Sequence, residues 1–385
     1  MIDPRPVVDW LVDGAPGASG PQQVIGGLCS RLVKAGAAID RMEAFVKTLH
    51  PHIVGRSFVW TPERPEVEVR EQSWAWLQSA EFLGSPMSSC CRMGELERHR
   101  LEGATAPTLA PLFREGYRDF VAAPMKFIAG PGNPVTFATK RPSGFTGDEI
   151  EAIRAVVPPL ARIGEILALL RTATNLLSTY VGHNAGARIL AGQIQLGDTD
   201  TLRAVVWFSD LRGFTPLART AAPQSVIRAL NDLFACQIPA IERKGGEVLK
   251  FIGDGLLAIF PYSDDAAAPA RCDAALDAAT EALGSLQQIN ALRAADREPP
   301  ISFGVALHPG EVSYGNIGGA SRLDFTCIGP AVNLAARLQT VASKLSRPIV
   351  VSEAFSKLCT RTLEDLGSFE LKGVEVAQKA YAPAR

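Results

Sequence analysis

The sequence predicts an α+β protein with two domains and a helical connector between them. The chain has 385 residues, more than a single typical domain holds. Its apolar content is ordinary for a globular protein and sufficient for two cores. Apolar residues recur with a helical period in some segments and alternate, as in strands, in others. The order of these segments differs between the two halves of the chain, so we expect each half to fold as its own domain.

The composition excludes several classes of protein. Lys and Arg number 39 and Asp and Glu number 40, so the charge balance gives no reason to expect binding to nucleic acid or an anionic membrane. No stretch reaches the roughly 18 apolar residues of a membrane span, and the N-terminus lacks a signal-peptide core. The seven cysteines, an odd number, argue against a disulfide framework. We therefore expect a cytoplasmic protein with reduced thiols, no membrane span and no nucleic-acid partner.

Residues 1–157 are predicted to form an α/β domain. A helix is expected over residues 30–49, and strands over 56–60, 66–69, 119–128 and 135–139, the last two joined by a turn at 129–134. Asp148 and Glu149 then open a helix, because acidic residues in a first turn complement the helix dipole. This order resembles a GAF-type sensor domain, with a PAS-like module as the alternative. The resemblance implies regulation by an unknown small-molecule or protein effector.

Residues 158–198 are predicted to form a helical dimerising connector. Apolar positions spaced alternately by three and four residues suggest a seam: Leu160, Ile163, Leu167, Leu170, Thr174 and Leu177. The seam is expected to begin after Pro158 and Pro159, because proline interrupts a helix. Alternatively, this helix packs on its own domain. We favour a parallel contact between two copies of the chain.

Residues 199–385 are predicted to form the second domain. Strands are expected over 203–209, 247–252, 256–260 and 301–307, and helices over 223–244 and 264–294. The order β-α-β-β-α-β is that of the ferredoxin-like arrangement. In this arrangement the third strand lies beside the first and runs antiparallel to it.

Asp210 and Asp254 are expected to meet at one edge of this sheet. Asp210 ends the first strand, and Asp254 immediately precedes the third. The end of one strand therefore lies next to the start of the other. Two carboxylates in contact raise each other's pKa values, and divalent cations that prefer oxygen ligands remove the repulsion. The sequence predicts a metal site here, with two solvated turn aspartates as the alternative.

The segment after Asp210 has the features of a phosphate-binding turn. It consists of Leu211, Arg212, Gly213, Phe214 and Thr215 and is expected to lead into a helix. Backbone N–H groups at such a turn suit phosphate oxygens, and glycine permits a close approach.

Asn333 and Arg337 lie four residues apart on a predicted helix. One helical turn separates them, so both are expected to face the same ligand. The guanidinium of Arg337 offers paired donors in the geometry that phosphate oxygens accept.

Three segments resemble the class III nucleotidyl cyclases. They are Phe-Ser-Asp-Leu-Arg-Gly-Phe-Thr at 208–215, Gly-Glu-Val-Leu-Lys-Phe-Ile-Gly-Asp-Gly at 246–255, and Phe-Thr-Cys-Ile-Gly-Pro-Ala-Val-Asn-Leu-Ala-Ala-Arg at 325–337. The resemblance extends from about residue 203 to the C-terminus. It implies an enzyme that forms a 3′,5′-cyclic nucleotide and pyrophosphate from a nucleoside triphosphate.

The resemblance also implies a role for each matching residue. Asp210 and Asp254 would hold two Mg²⁺ or Mn²⁺ ions. Lys250 and Thr326 would contact the purine, Asn333 would orient the ribose, and Arg337 would stabilise charge in the transition state. Lys372 resembles a family phosphate contact, whereas the basic residue that members often carry near 301–304 is missing here. Family sites lie between two catalytic domains, so a homodimer with two equivalent sites is implied.

The identity of the base is a separate inference. In this family a lysine at the position of Lys250 accompanies the use of adenine, whereas guanylyl enzymes usually carry Glu. Thr326 is similar to the residue of a bacterial subgroup that also uses ATP. An ammonium and a hydroxyl can donate to the acceptor nitrogens of adenine. The favoured function is adenylyl cyclase, and the alternatives are a guanylyl cyclase and a non-catalytic nucleotide-binding dimer.

Overall fold

The structure of the chain is a computed structural model, which describes residues 2–49, 53–102, 107–128, 132–319, 321–374 and 376–384. It divides into two compact units, Met1–Leu176 and Leu177–Arg385. The division lies after Leu176, later than the boundary expected after residue 157. The turn expected at 129–134 lies partly outside the described residues.

The N-terminal unit is a six-stranded antiparallel sheet with helices packed against it. Its helices are α1 (Arg5–Val12), α2 (Pro21–Lys34), α3 (Trp74–Leu77), α4 (Ala80–Leu83), α5 (Pro86–Met93) and α6 (Ala110–Arg114). Its strands are β1 (Arg41–Lys47), β2 (Gly55–Thr61), β3 (Arg64–Gln72), β4 (Glu97–Arg100), β5 (Asp119–Met125) and β6 (Asn133–Thr139), in the order β3-β2-β1-β6-β5-β4. The four strands predicted here are confirmed, while the likeness to a GAF domain stays a prediction.

The helix predicted over residues 30–49 is wrong in its second half. Helix α2 ends at Lys34, and Gly36 adopts a φ of 98°, a conformation that commonly ends helices. The chain then forms β1, which pairs with β2 on one side and β6 on the other. Met42 and Ala44 are buried in the core. The apolar residues of this segment are compatible with both a helical and a strand period. Pairing with the two neighbouring strands selects the strand.

Helix α7 (Gly147–Val181) closes the N-terminal unit and continues past it. Contrary to expectation, Pro158 and Pro159 lie inside this helix and do not interrupt it. The surrounding residues Val156, Val157, Leu160 and Ala161 are buried in the core of the unit. That packing offsets the roughly 3 kcal/mol that proline costs in a helix interior.

The predicted seam on α7 therefore has two different halves. Leu160 is buried in the N-terminal core, and Ile163 and Leu167 pack against it. Beyond them, exposed or half-buried apolar residues follow a shifted spacing, and we name these the α7 stripe: Ile166, Leu169, Ala173, Leu176 and Tyr180. Although α7 has 35 residues, none of the helices in the described ranges is both long and apolar enough to cross a membrane.

The C-terminal unit contains the predicted β-α-β-β-α-β order. Its helices are α8 (His183–Leu190), α9 (Phe214–Thr220), α10 (Pro223–Arg243), α11 (Ala268–Ala295), α12 (Pro330–Lys344) and α13 (Glu353–Leu358). Its strands are β7 (Thr199–Leu211), β8 (Glu247–Ile252), β9 (Gly255–Tyr262), β10 (Phe303–Gly319), β11 (Arg322–Ile328), β12 (Ile349–Ser352), β13 (Leu363–Phe369) and β14 (Gln378–Pro383). The sheet has the order β13-β14-β12-β10-β7-β9-β8, and β11 pairs with β10. Strand β9 runs antiparallel beside β7, as the ferredoxin-like arrangement requires.

The central strand β7 separates two apolar cores. Val205 and Trp207 pack with α10 and α11 on one face, whereas Ala204 and Val206 pack with α8 and α12 on the other. Successive side chains of a strand point to opposite faces. By this alternation Asp210, at the end of β7, belongs to the same face as Val206 and α12.

Candidate active site

Strands β7 and β9 bring Asp210 and Asp254 together. Asp210 is paired in register with Gly255, and the Leu211 N–H donates to the Asp254 carbonyl oxygen at 3.3 Å. A Cβ atom on Gly255 would lie 2.5 Å from the Ser209 carbonyl oxygen. Glycine at this position therefore permits the close approach of the two strands that places the carboxylates side by side.

The environment of Asp210 disfavours its negative charge. Burial and the neighbouring Asp254 carboxylate raise the pKa of Asp210 to about 7. Its Oδ1 atom is buried and has no hydrogen-bond partner among the described residues. A divalent cation would bind this oxygen and remove the repulsion, so the pair fits a metal that prefers oxygen ligands.

The two carboxylates would need other oxygen donors to complete a metal site. Within the described ranges, no group of three or more His, Cys, Asp or Glu residues is placed to hold a metal ion. Mg²⁺ usually binds through one or two carboxylates together with water and substrate phosphates. Two carboxylates alone would therefore leave positions on such an ion for water or phosphate oxygens.

The turn after Asp210 presents backbone N–H groups at the start of α9. Gly213 caps this helix with a φ of 70°, and Leu217 donates the first helical hydrogen bond to the Gly213 carbonyl at 3.1 Å. The N–H groups of Phe214 and Thr215 precede that bond and are available to an acceptor. In contrast, the N–H of Leu211 already donates to the Asp254 carbonyl oxygen.

Arg212 has a role that the sequence did not predict. Its guanidinium donates to the carbonyl oxygens of Ala342, at 3.2 Å, and Arg347, and its backbone N–H donates to Ser302 at 2.8 Å. Its side chain thus joins the chain beside Asp210 to the C-terminal end of α12. This contact differs from the substrate contact expected of Arg212.

Lys250 lies on β8, which pairs with β9, and Thr326 lies on β11, which pairs with β10. The Lys250 ammonium forms an ion pair with Asp324 at 2.7 Å between Nζ and Oδ2. Asp324 precedes Thr326 by two residues, so both belong to the same face of β11. Thr326 is buried, and its hydroxyl has no hydrogen-bond partner among the described residues. Together the three side chains offer donors and acceptors to a polar ligand edge.

Asp324 is a site residue that sequence reasoning missed. The sequence offers one indication of it, since Asp324 lies two residues before Thr326 and so on the same face of the strand. Strand alternation by itself does not reveal which side chain a lysine on another strand contacts. The folded chain supplies that information, because it brings Lys250 of β8 within 2.7 Å of Asp324 of β11.

Helix α12 carries Asn333 and Arg337 on its exposed surface. Arg337 lines a cavity of about 540 Å³, together with Thr340, Val341, Lys344, Ser368, Phe369, Glu370, Leu371 and Lys372. The structure thus brings Arg337 and Lys372 to one cavity. Asn333, Asp210 and Asp254 are not among the residues that line it.

Comparison with known proteins assigns the C-terminal domain. Residues 199–382 match the profile of the adenylate and guanylate cyclase catalytic domain. The C-terminal domain belongs to the class III nucleotidyl cyclase family. This confirms the resemblance carried by the three sequence segments, and the match contains every candidate site residue of the cyclase domain.

Individual relatives match the same share of the chain. An adenylate cyclase from Anabaena cylindrica is 34% identical over 190 residues, covering 48% of this chain and 36% of the relative. A terminal-differentiation-specific adenylate cyclase from Dictyostelium discoideum is 30% identical over 194 residues, covering 49% of this chain and 9% of the relative. The chain therefore spans only 36% and 9% of the lengths of these relatives. A solved bacterial light-regulated adenylyl cyclase is 27% identical, with a TM-score of 0.42, covering 48% of this chain and 91% of that one.

Proposed function

We propose that the cyclase domain converts ATP into 3′,5′-cyclic AMP and pyrophosphate. The observation that carries the choice of ATP is the Lys250–Asp324 ion pair beside the unpartnered hydroxyl of Thr326. Adenine presents ring nitrogens that accept hydrogen bonds and an amino group that donates them. The ammonium can donate to a ring nitrogen, and the carboxylate and hydroxyl can accept from the amino group.

The chemistry is an intramolecular phosphoryl transfer. The ribose 3′-oxygen bonds to the α-phosphorus, the bond from that phosphorus to the pyrophosphate oxygen breaks, and the hydroxyl proton is released. Asp210 and Asp254 would hold two Mg²⁺ or Mn²⁺ ions, which supply charge neutralisation at the phosphates when bound. Asn333 would orient the ribose, and Arg337 would donate paired hydrogen bonds to the phosphate oxygens as charge develops.

The site would be completed by a second copy of the chain. Arg337 and Lys372 share a cavity that Asp210 and Asp254 do not line. We infer that one protomer supplies the aspartates and its partner supplies Lys250, Thr326, Asn333 and Arg337. A two-fold axis then generates two equivalent sites.

The test compares ATP and GTP as substrates of the purified full chain, each with Mg²⁺ and with Mn²⁺. We expect cyclic AMP to be the main product. Asp324→Asn should reduce the preference for ATP, because it removes a carboxylate acceptor and the ion pair of Lys250. Asp265→Asn is a matched control, since its ion pair with Arg203 lies near the end of β7 that is opposite to Asp210.

Two results would contradict the proposal in different ways. Greater turnover of GTP would leave a cyclase but reverse the choice of base. No cyclic product from either nucleotide with either metal would favour the alternative of a non-catalytic nucleotide-binding dimer.

A further inference from the structure

We propose that Lys344 is a phosphate-binding residue of the cyclase domain and forms, with Arg337 and Lys372, a three-cation site for the polyphosphate end of the substrate. The inference rests on the proposed function and deepens it. It adds a residue that neither the sequence segments nor the family resemblance indicated.

The geometry of α12 brings Lys344 to the same cavity as Arg337. Arg337, Thr340 and Lys344 are separated by three and four residues, which places them on one face of the helix. The opposite wall is formed by residues 368–372, which include Lys372. A cavity of about 540 Å³ lies in the range of ordinary ligand sites, roughly 300–1,000 Å³.

The cations of this cavity form no ion pairs in the part of the chain that the structure describes. Within the described residues, the side chains of Arg337, Lys344 and Lys372 form no ion pair within 4.0 Å and no hydrogen bond. Nearby cations behave differently, since Arg347 pairs with Glu364 at 2.9 Å.

The charge around the cavity favours an anionic ligand. The three cations share it with a single carboxylate, that of Glu370. Like charges that converge on one cavity repel each other, and a multiply charged anion between them removes that repulsion. A polyphosphate chain carries several negative charges in a row and so matches three separated cations better than a single carboxylate does.

The structure also shows what occupies the position where a basic residue is missing. Family members often carry a basic residue near 301–304, and here Gly304 has no side chain. The Arg212 guanidinium occupies the neighbouring space, with Nη2 at 3.4 Å from the Cβ position of Gly304. Nη2 of that guanidinium donates to the carbonyl oxygens of Ala342 and Arg347, and the buried Nε has no hydrogen-bond partner among the described residues. The guanidinium holds the end of α12, and Lys344 on that helix supplies the free charge.

The test uses the full chain with Lys344→Gln and Lys344→Arg. We expect Lys344→Gln to raise the KM for ATP about tenfold, as losing one charge-assisted hydrogen bond to phosphate would, with little change in kcat. Inhibition by inorganic tripolyphosphate should weaken by the same factor, because this probe has neither base nor ribose. Lys344→Arg should keep most of the affinity for both.

A matched control separates phosphate binding from helix stability. Lys357→Gln removes a lysine that pairs with Glu353 on α13, outside the cavity, and should change neither measurement. Lys344 also lies in the last turn of α12, where a cation stabilises the helix dipole. If Lys344→Gln lowered the melting temperature but left KM and tripolyphosphate inhibition unchanged, the proposal would be overturned.

Failure of the proposed function would look different. Suppose the wild-type chain made no cyclic nucleotide yet bound tripolyphosphate in calorimetry, and Lys344→Gln did not bind it. The three-cation site would then be supported, although the chain would not be a cyclase. Conversely, the wild-type chain could be an active cyclase while Lys344→Gln has the same kinetics and the same tripolyphosphate binding. The proposed function would then be retained, and Lys344 would not be a phosphate-binding residue.

Discussion

At the scale of single residues, the fold changes the acid–base chemistry of Asp210. Its pKa is raised from an ordinary value of 3.8 to about 7 by burial and by the Asp254 carboxylate. The folded protein therefore keeps a proton that the unfolded chain loses at lower pH. The stability contributed by this proton is complete below about pH 4 and is lost as the pH rises through about 7.

We predict that Asp210→Asn removes this pH dependence together with activity. In metal-free buffer, the melting temperature of the wild type relative to the variant should fall between about pH 4 and about pH 7. Above pH 7, Mn²⁺ should raise the melting temperature of the wild type and not of the variant, because a ligand that binds only the folded state stabilises it. Calorimetry and cyclic nucleotide assays measure both effects.

Asp296→Asn is the control for that experiment, because Asp296 is an exposed aspartate at the end of α11. Its pH profile and its response to Mn²⁺ should match the wild type. Equal pH slopes in the wild type and Asp210→Asn, with an equal response to Mn²⁺, would show that the aspartate pair is not a metal site.

At the scale of elements, the contact between β7 and β9 sets the separation of the two aspartates. We predict that Gly255→Ala lowers the free energy of unfolding by about 1–3 kcal/mol, because the new methyl group would collide with the Ser209 carbonyl. The same change should reduce turnover strongly, since it pushes Asp210 and Asp254 apart. Urea unfolding and cyclase assays report the two effects.

Gly284→Ala is the matched substitution. Gly284 lies within α11, and a Cβ atom there would meet no atom within 4 Å. Alanine should raise stability by about 0.5–1 kcal/mol and leave turnover unchanged, because glycine is unfavourable in a helix interior. If both variants behaved alike, the close approach of β7 and β9 would not control the site.

At the scale of the whole molecule, we propose that the α7 stripe pairs two copies, in place of the predicted seam, whose residues Leu160, Ile163 and Leu167 pack in the N-terminal core. Its apolar residues are spaced by three and four, and Ile166 and Leu169 are 65% and 61% exposed. We predict that Ile166→Glu with Leu169→Glu disrupts the dimer, because repelling charges replace the apolar contact. Specific activity should then depend on protein concentration, and sedimentation velocity should detect a monomer.

The control for the stripe is Arg171→Glu, an exposed position on the opposite side of α7 from Ile166 and Leu169. It should remain dimeric and active. A double variant that stayed dimeric with full activity would exclude the α7 stripe as the dimer contact. Regulation by the N-terminal unit and a cytoplasmic location both remain predictions.

Local patterns were sufficient for much of the cyclase domain. Strand and helix periods predict the β-α-β-β-α-β order, and the strand arrangement that goes with this order predicts the meeting of Asp210 and Asp254. Both inferences depend on short-range periodicity and on which strands can be neighbours. The spacing of Asn333 and Arg337 on one helix follows from the helical repeat in the same way.

Other features depend on partners far away in the chain, and only the tertiary structure decided them. Residues 41–47 form a strand because β2 and β6 lie on either side, and Leu160 is buried because the N-terminal core lies beneath it. The contacts of Arg212 and Asp324 join segments distant in sequence, and so does the cavity that Lys344 lines with residues 368–372. Period and turn chemistry are properties of a short segment, whereas burial and side-chain partners are properties of the folded chain. The sequence by itself therefore determined the family, the β-α-β-β-α-β order and the meeting of Asp210 and Asp254, and the fold determined what surrounds them.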